Sequence, residues 1–114
     1  MGMLAILLAT VALAGPATAP PVGQLPPGPV TTIRVQHGLP FALALPQRNG
    51  GLVWRGARNT HLDVARPVGE ADVGTNVVLT YQALRRGKTT IVYGLTKGET
   101  PKAYAARYFT VVVF

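Results

Sequence analysis

An alternating β-pattern, a short glycine-containing loop and the only tryptophan of the chain follow one another between residues 38 and 54. Over residues 41–46 the bulky Phe, Leu and Leu side chains alternate with Ala, Ala and Pro. Strict alternation is the pattern of a strand with one buried face, because successive side chains point to opposite faces. Gly50 and Gly51 indicate a tight turn, after which a second strand carries Trp54. The segment therefore predicts two β-strands joined by a polar loop, and such loops commonly carry binding residues.

The chain after residue 30 has β-character throughout. Short runs of β-branched and aromatic residues are separated by Gly, Pro, Asn and Asp, and no run has a helical period with caps. The predicted strands are residues 32–36, 41–46, 52–55, 61–66, 76–84, 89–94 and 107–114. Their number and spacing predict an all-β fold, a seven-stranded immunoglobulin-like antiparallel β-sandwich over residues 31–114. The last run is apolar on both faces, so it is predicted to lie at the centre of a sheet.

The first part of the chain predicts an export signal. Residues 4–13 form an uncharged apolar run, and the Ala-Leu-Ala sequence at 12–14 fits a small-x-small cleavage pattern. Residues 1–14 are therefore predicted to be a signal peptide, with the mature chain beginning at Gly15. A membrane anchor is the alternative, but the apolar run is well short of the ~20 residues that span a bilayer. The protein is thus expected to be periplasmic or secreted, without a transmembrane span after signal removal.

Residues 15–30 are rich in proline and predict a linker. Proline fixes φ and removes a backbone donor, so the segment is expected to be extended, solvated chain without a packed role. The chain contains no cysteine, which excludes a disulfide scaffold, a thiol nucleophile and cysteine-ligated zinc. The sandwich must therefore be stabilised by packing alone.

The charge balance is strongly basic, with 11 Lys and Arg residues against 4 Asp and Glu residues. Such an excess favours anionic partners through long-range attraction, although it also serves solubility. Nucleic acid is not expected as a partner, because export is predicted and no aromatic stacking residues alternate with the basic ones. Envelope polyanions or an acidic protein surface fit the charge better.

The sequence gives little support for catalysis. The two histidines are His37 and His61, and His61 lies two residues before Asp63 on a predicted strand, which places both on one face. That pair could begin a metal or acid–base site, but no third group is placed beside it, and a surface polar pair is the favoured interpretation. Glu70 and Asp72 are interpreted as a solvated hairpin tip. We therefore expect a protein that is not an enzyme, with no catalytic residues, no metal site and no cofactor.

Four sequence features of the β-domain form a layout that resembles a known family. They are an alternating strand that ends in Leu45-Pro46, a Gly51-x-x-Trp54 pattern, a Gly74-Thr75 entry into a long strand, and a β-run that begins at Thr89. This layout resembles the chagasin-like inhibitors of papain-type cysteine proteases, which are immunoglobulin-like sandwiches. The resemblance covers nearly the whole domain.

The resemblance implies that three loops at one end of the sandwich bind a protein, in this family a papain-type cysteine protease. The loop sequences differ from those of the family, since Gln47-Arg-Asn-Gly50 stands where the family has a threonine-bearing tip. The resemblance therefore implies either a divergent inhibitor or a relative that has lost this target. The candidate binding residues are Arg48, Asn49, Gly50 and Gly51 in the first loop, Asp72, Val73 and Gly74 in the second, and Lys97, Gly98 and Glu99 in the third.

A second class of function is compatible with the same pattern. Small immunoglobulin-like modules of bacterial envelope, secretion or pilus assemblies also contain a Gly-Lys-Thr-Thr strand entry, here at residues 87–90, and a final valine-rich strand. The isolated chain is expected to be a monomer in either case. Recovery of a large envelope assembly with the protein would favour this second class.

Overall fold

The computed structural model describes residues 20–114, and their regular structure is entirely β. The strands are β1 (Val30–Val35), β2 (Pro40–Pro46), β3 (Leu52–Asn59), β4 (Ala65–Val73), β5 (Asn76–Ala83), β6 (Gly87–Lys97) and β7 (Ala103–Val113). One sheet has the order β1-β7-β6-β3 and the other has the order β2-β5-β4. This arrangement is an immunoglobulin-like β-sandwich, which confirms the predicted fold class. Within residues 20–114, no helix is long and apolar enough to span a membrane.

Strand β7 lies between β1 and β6, as predicted from its two apolar faces. Its pairing with β6 is antiparallel, whereas its pairing with β1 is parallel, from Val30↔Tyr108 to Val35↔Val113. This parallel pair is a departure in detail from the expected antiparallel pattern. Strand β1 pairs with the edge of β7 that β6 leaves open, so the backbone groups of the apolar strand β7 are paired on both sides.

The core lies between the two sheets and is formed by their inward-facing side chains. Leu43, Leu45, Leu79, Ile91 and Phe109 are all buried. The predicted alternation of β2 is confirmed, because its leucines are buried while its alanines are exposed. Phe41 and Trp54 are half-buried and pack against the margin of this core.

Two buried tyrosines of the core join the two sheets. The hydroxyl oxygens of Tyr81 on β5 and Tyr93 on β6 lie 2.6 Å apart, within hydrogen-bonding distance. Burial raises the pKa of both phenols above the ordinary tyrosine value. For Tyr93, the hydrogen bond to Tyr81 raises the pKa further. Both side chains are therefore neutral in the folded protein at physiological pH.

The prediction of a strand over residues 61–66 is wrong for residues 61–64, since β4 begins at Ala65. Residues 61–64 form a turn, because the carbonyl of His61 accepts hydrogen bonds from the backbone N–H groups of Val64 and Ala65. The buried Thr89 stabilises this turn by accepting from the His61 N–H at 3.0 Å. The His61–Asp63 pair accordingly does not share a strand face, and Asp63 instead forms an exposed ion pair with Arg85 at 3.3 Å.

The expectation that the proline-rich linker has no packed role is wrong for residues 20–29, here called the N-terminal segment. Its Gly23 N–H donates to Pro101 O at 2.7 Å, and the Tyr108 hydroxyl donates to Pro26 O at 2.8 Å. A Cβ atom built on Gly94 of β6 would approach the side chains of Val22 and Leu25 within 3.0 and 3.3 Å. The N-terminal segment therefore packs on the four-stranded sheet. The predicted signal peptide lies outside the described residues.

Candidate protein-binding site

Three connections meet at one end of the sandwich, which we call the three-loop end. They are the β2–β3 loop (residues 47–51), the β4–β5 turn (74–75) and the β6–β7 loop (98–102). The Gln47 N–H donates to Thr75 O at 2.9 Å, which links the first two connections. The Gly98 N–H donates to Gly51 O at 3.0 Å, which links the first and third. The structure thus brings the three predicted loop regions together.

The first loop depends on two consecutive glycines. Gly50 and Gly51 have φ values of 75° and 78°, in the left-handed region where a Cβ atom is disfavoured. Arg48 and Asn49 precede them, and both are exposed. The glycines therefore turn the chain sharply while the two polar side chains are presented to solvent.

The second connection is shorter than the sequence suggested. Glu70, Asp72 and Val73 lie in β4 and not in a loop, since the pairing with β5 continues to Val73↔Asn76. The turn consists of Gly74 and Thr75 alone, and Gly74 has a φ of 61°. A glycine with positive φ at the first position of a two-residue hairpin turn matches a known preference. Asp72 and Val73 are exposed beside this turn, so they still belong to the three-loop end.

Arg55 of β3 supports the third loop through hydrogen bonds. The guanidinium donates to Thr96 Oγ1 at 3.2 Å and to Thr100 O at 2.8 Å, and both its terminal nitrogens donate to Pro20 O at 2.9 Å. The buried Thr96 donates in turn to Gly98 O at 2.7 Å. Arg55 and Thr96 therefore position the loop that carries Gly98 and its neighbours. The sequence did not predict this role, because nothing in it distinguishes Arg55 from the other basic residues.

A cavity of about 320 Å³ opens between the two sheets at the three-loop end. It is lined by Gln47, Arg48, Leu52, Val53, Trp54, Glu70, Asp72 and Val77. The Trp54 Nε1–H donates to Pro46 O at 2.8 Å, which ties the ring to the facing sheet. The Arg107 guanidinium lies 5.8 Å from the centre of the same ring. The cavity is thus lined by the Trp54 ring together with one basic and two acidic side chains.

The charged side chains of the three-loop end can form ion pairs with a binding partner. Within residues 20–114, the one ion pair under 4.0 Å is Arg85–Asp63, at the opposite end of the sandwich. Among the described residues, Arg48 and Lys97 therefore have no carboxylate within 4.0 Å, and neither Glu70 nor Asp72 has a cation that close. No group of three metal-ligating side chains was found among the described residues. The site presents mixed charge and exposed backbone, which suits recognition of another protein.

Fold and site together define a class, an immunoglobulin-like sandwich with a surface of clustered loops at one end. One solved structure with a similar fold is the cysteine protease inhibitor EhICP2 from Entamoeba histolytica, which the chain matches with a TM-score of 0.58. Sequence identity is 17%, and the match covers 73% of this chain and 85% of the inhibitor. This likeness shows a shared fold. The sequence matches no known protein family and no curated protein.

Proposed function

We propose that the protein is an exported, divergent inhibitor of papain-type cysteine proteases that binds its target through the three-loop end. The observation that carries the proposal is the hydrogen-bonded assembly of the three loops at one end of the sandwich. The fold shared with a cysteine protease inhibitor supports the same target class. Binding residues on loops held by a rigid sandwich are a common arrangement in recognition proteins.

The charges of the loops indicate which papain-type proteases the chain would bind best. Arg48 and Lys97 are exposed cations that contact no carboxylate within residues 20–114, and each must lose part of its hydration to enter a protease cleft. Desolvating a charge is unfavourable unless a partner of opposite sign receives it. Proteases with acidic residues around the cleft are therefore the preferred targets, because complementary charge accelerates association and selects the partner.

The test is titration of the purified chain against a panel of papain-type proteases that differ in charge around the active-site cleft. Inhibition is expected to be strongest for an acidic cleft and to weaken as salt is raised. Arg48→Ala is expected to weaken that inhibition about tenfold, corresponding to ~1.4 kcal/mol.

Arg58→Ala serves as the matched control. Arg58 is an exposed arginine at the far end of β3, away from the three loops, so its removal should leave inhibition unchanged. Absence of inhibition for every protease in the panel would overturn the proposed target. A pull-down that recovers a large envelope assembly instead would favour the structural class of function.

A further inference from the structure

The end of the sandwich opposite the three loops carries exposed apolar side chains. The connections there are residues 36–39, 60–64 and 84–86, together with the C-terminal Phe114. Each contributes one large apolar side chain: Leu39, Leu62, Leu84 and Phe114 are 50%, 58%, 38% and 50% exposed. Single exposed apolar residues are ordinary on a protein surface, whereas a group of them indicates an interaction site.

Hydrogen bonds hold these connections together as one surface. The His37 N–H donates to Phe114 O at 2.7 Å, and His37 Nε2 lies 3.2 Å from Leu84 O. The Leu84 N–H donates to Val64 O at 2.8 Å, which adds the turn that contains Leu62. The four apolar side chains therefore project from neighbouring, mutually bonded segments.

Basic residues surround this surface, which we call the basic end. Six of them lie on or next to its connections: Arg34, Arg58, Arg66, Arg85, Arg86 and Lys88. The acidic residue at this end is Asp63, and Arg85 already pairs with it. The Arg34 guanidinium lies 4.9 Å from the centre of the Phe114 ring, so cationic and apolar groups are in direct contact.

We propose that the basic end docks on the surface of an anionic lipid membrane. Basic residues near an anionic bilayer gain electrostatic attraction, and apolar side chains can enter the boundary between headgroups and acyl chains. A soluble polyanion would use the cations but would leave the exposed leucines in water. This inference goes beyond the proposed function, because it assigns a second surface, and docking by the basic end would direct the three-loop end away from the membrane.

The experiment measures binding of the full chain to vesicles of phosphatidylcholine that contain phosphatidylserine, compared with phosphatidylcholine alone. The apolar run at residues 4–13 is present in every variant, so its contribution cancels in comparisons between variants. We expect binding that requires phosphatidylserine and falls as salt is raised. Equal binding to both kinds of vesicle would overturn the proposal.

Two matched pairs of variants test the surface. Lys88→Glu at the basic end is expected to weaken binding roughly tenfold or more, whereas Lys102→Glu in the third loop should change it little. Leu62→Ser should also weaken binding severalfold, whereas Val30→Ser, another exposed apolar position, should not. Equal effects of the two lysine substitutions would overturn the proposal. The proposal would also be overturned if Leu62→Ser bound the vesicles as tightly as the native chain and the native chain bound soluble heparin as tightly as the vesicles. That result would identify a site for polyanions.

Discussion

Trp54 is the residue at which the core, the facing sheet and the candidate site meet. Its ring packs on the margin of the core and lines the cavity, and its N–H donates across to Pro46 of β2. Trp54→Ala is expected to cost about 2–4 kcal/mol of folding free energy, somewhat below a fully buried tryptophan, because the ring is half-buried. Trp54→Phe should cost less, about 1–2 kcal/mol, since it removes mainly the hydrogen bond. Denaturant unfolding followed by circular dichroism measures both, and equal costs would contradict this account.

The Tyr81–Tyr93 pair predicts how folding stability depends on pH. Both phenols have a raised pKa in the folded state, whereas the unfolded chain ionises near the ordinary value of 10.0. Ionisation therefore favours the unfolded state, so the pair's contribution is complete below about pH 10 and is lost as the pH rises further. Unfolding measured across alkaline pH should show this loss in the native chain.

The double variant Tyr81→Phe/Tyr93→Phe is the control for that dependence. It removes both titrating groups and replaces a buried hydrogen bond by apolar surface of similar shape, which is often nearly neutral. Tyr93→Phe alone leaves the Tyr81 hydroxyl buried without its partner, at a cost of about 1–3 kcal/mol. A double variant that loses as much stability at alkaline pH as the native chain would exclude the tyrosine pair as the cause.

At the scale of elements, the strand with a clear buried face, β2, was predictable, whereas most of the exposed strand β4 was not. The alternation of β2 identified it directly, because its inward leucines meet the core. Strand β4 was missed from residue 67 onward, since every residue after Ala65 is exposed and the strand contains Pro67 and Gly69 at an irregular pairing. An edge strand held by backbone pairing alone leaves no hydrophobic period in the sequence.

The candidate site, like the strands, was predictable only in part. Gly50, Gly51 and Gly74 marked the turns correctly, because positive φ strongly favours glycine. The support of the third loop by Arg55 was not predictable, since its three acceptors lie 35, 41 and 45 residues away from it in the sequence. The N-terminal segment was missed because proline suggests solvated chain, yet the carbonyls of Pro20, Pro26 and Pro29 still accept hydrogen bonds.

Gly28 tests whether the N-terminal segment is part of the folded unit. A Cβ atom at this position would overlap the carbonyl oxygen of Ala106, and a backbone atom cannot move aside as the end of a flexible side chain can. Gly28→Ala is therefore expected to displace the segment and to cost about 1–3 kcal/mol of folding free energy, as overpacking generally does. Gly69→Ala is the control, since nothing lies within 4 Å of a Cβ atom there. Denaturant unfolding should separate the two variants, and limited proteolysis should cut residues 20–29 faster in Gly28→Ala.

At the scale of the whole molecule, the sandwich separates two charged surfaces. Lys88 and Lys97 stand near opposite ends of β6, an 11-residue strand, which places the basic end and the three-loop end roughly 30 Å apart at about 3.3 Å per residue. The Debye length at physiological ionic strength is only ~8 Å, so the charges of one end are screened from ligands at the other. Two surfaces at this separation should act independently.

This independence gives the last prediction. Lys88→Glu should weaken binding to phosphatidylserine vesicles without altering protease inhibition, and Lys97→Glu should weaken inhibition by an acidic-cleft target without altering vesicle binding. The double variant should show the sum of the two single effects on each readout, because sites more than about 10 Å apart without shared partners are usually additive. Protease titration in the presence and absence of vesicles measures this directly. If vesicles blocked inhibition by the native chain, the two surfaces would compete, and the arrangement with the three loops directed away from the membrane would be wrong.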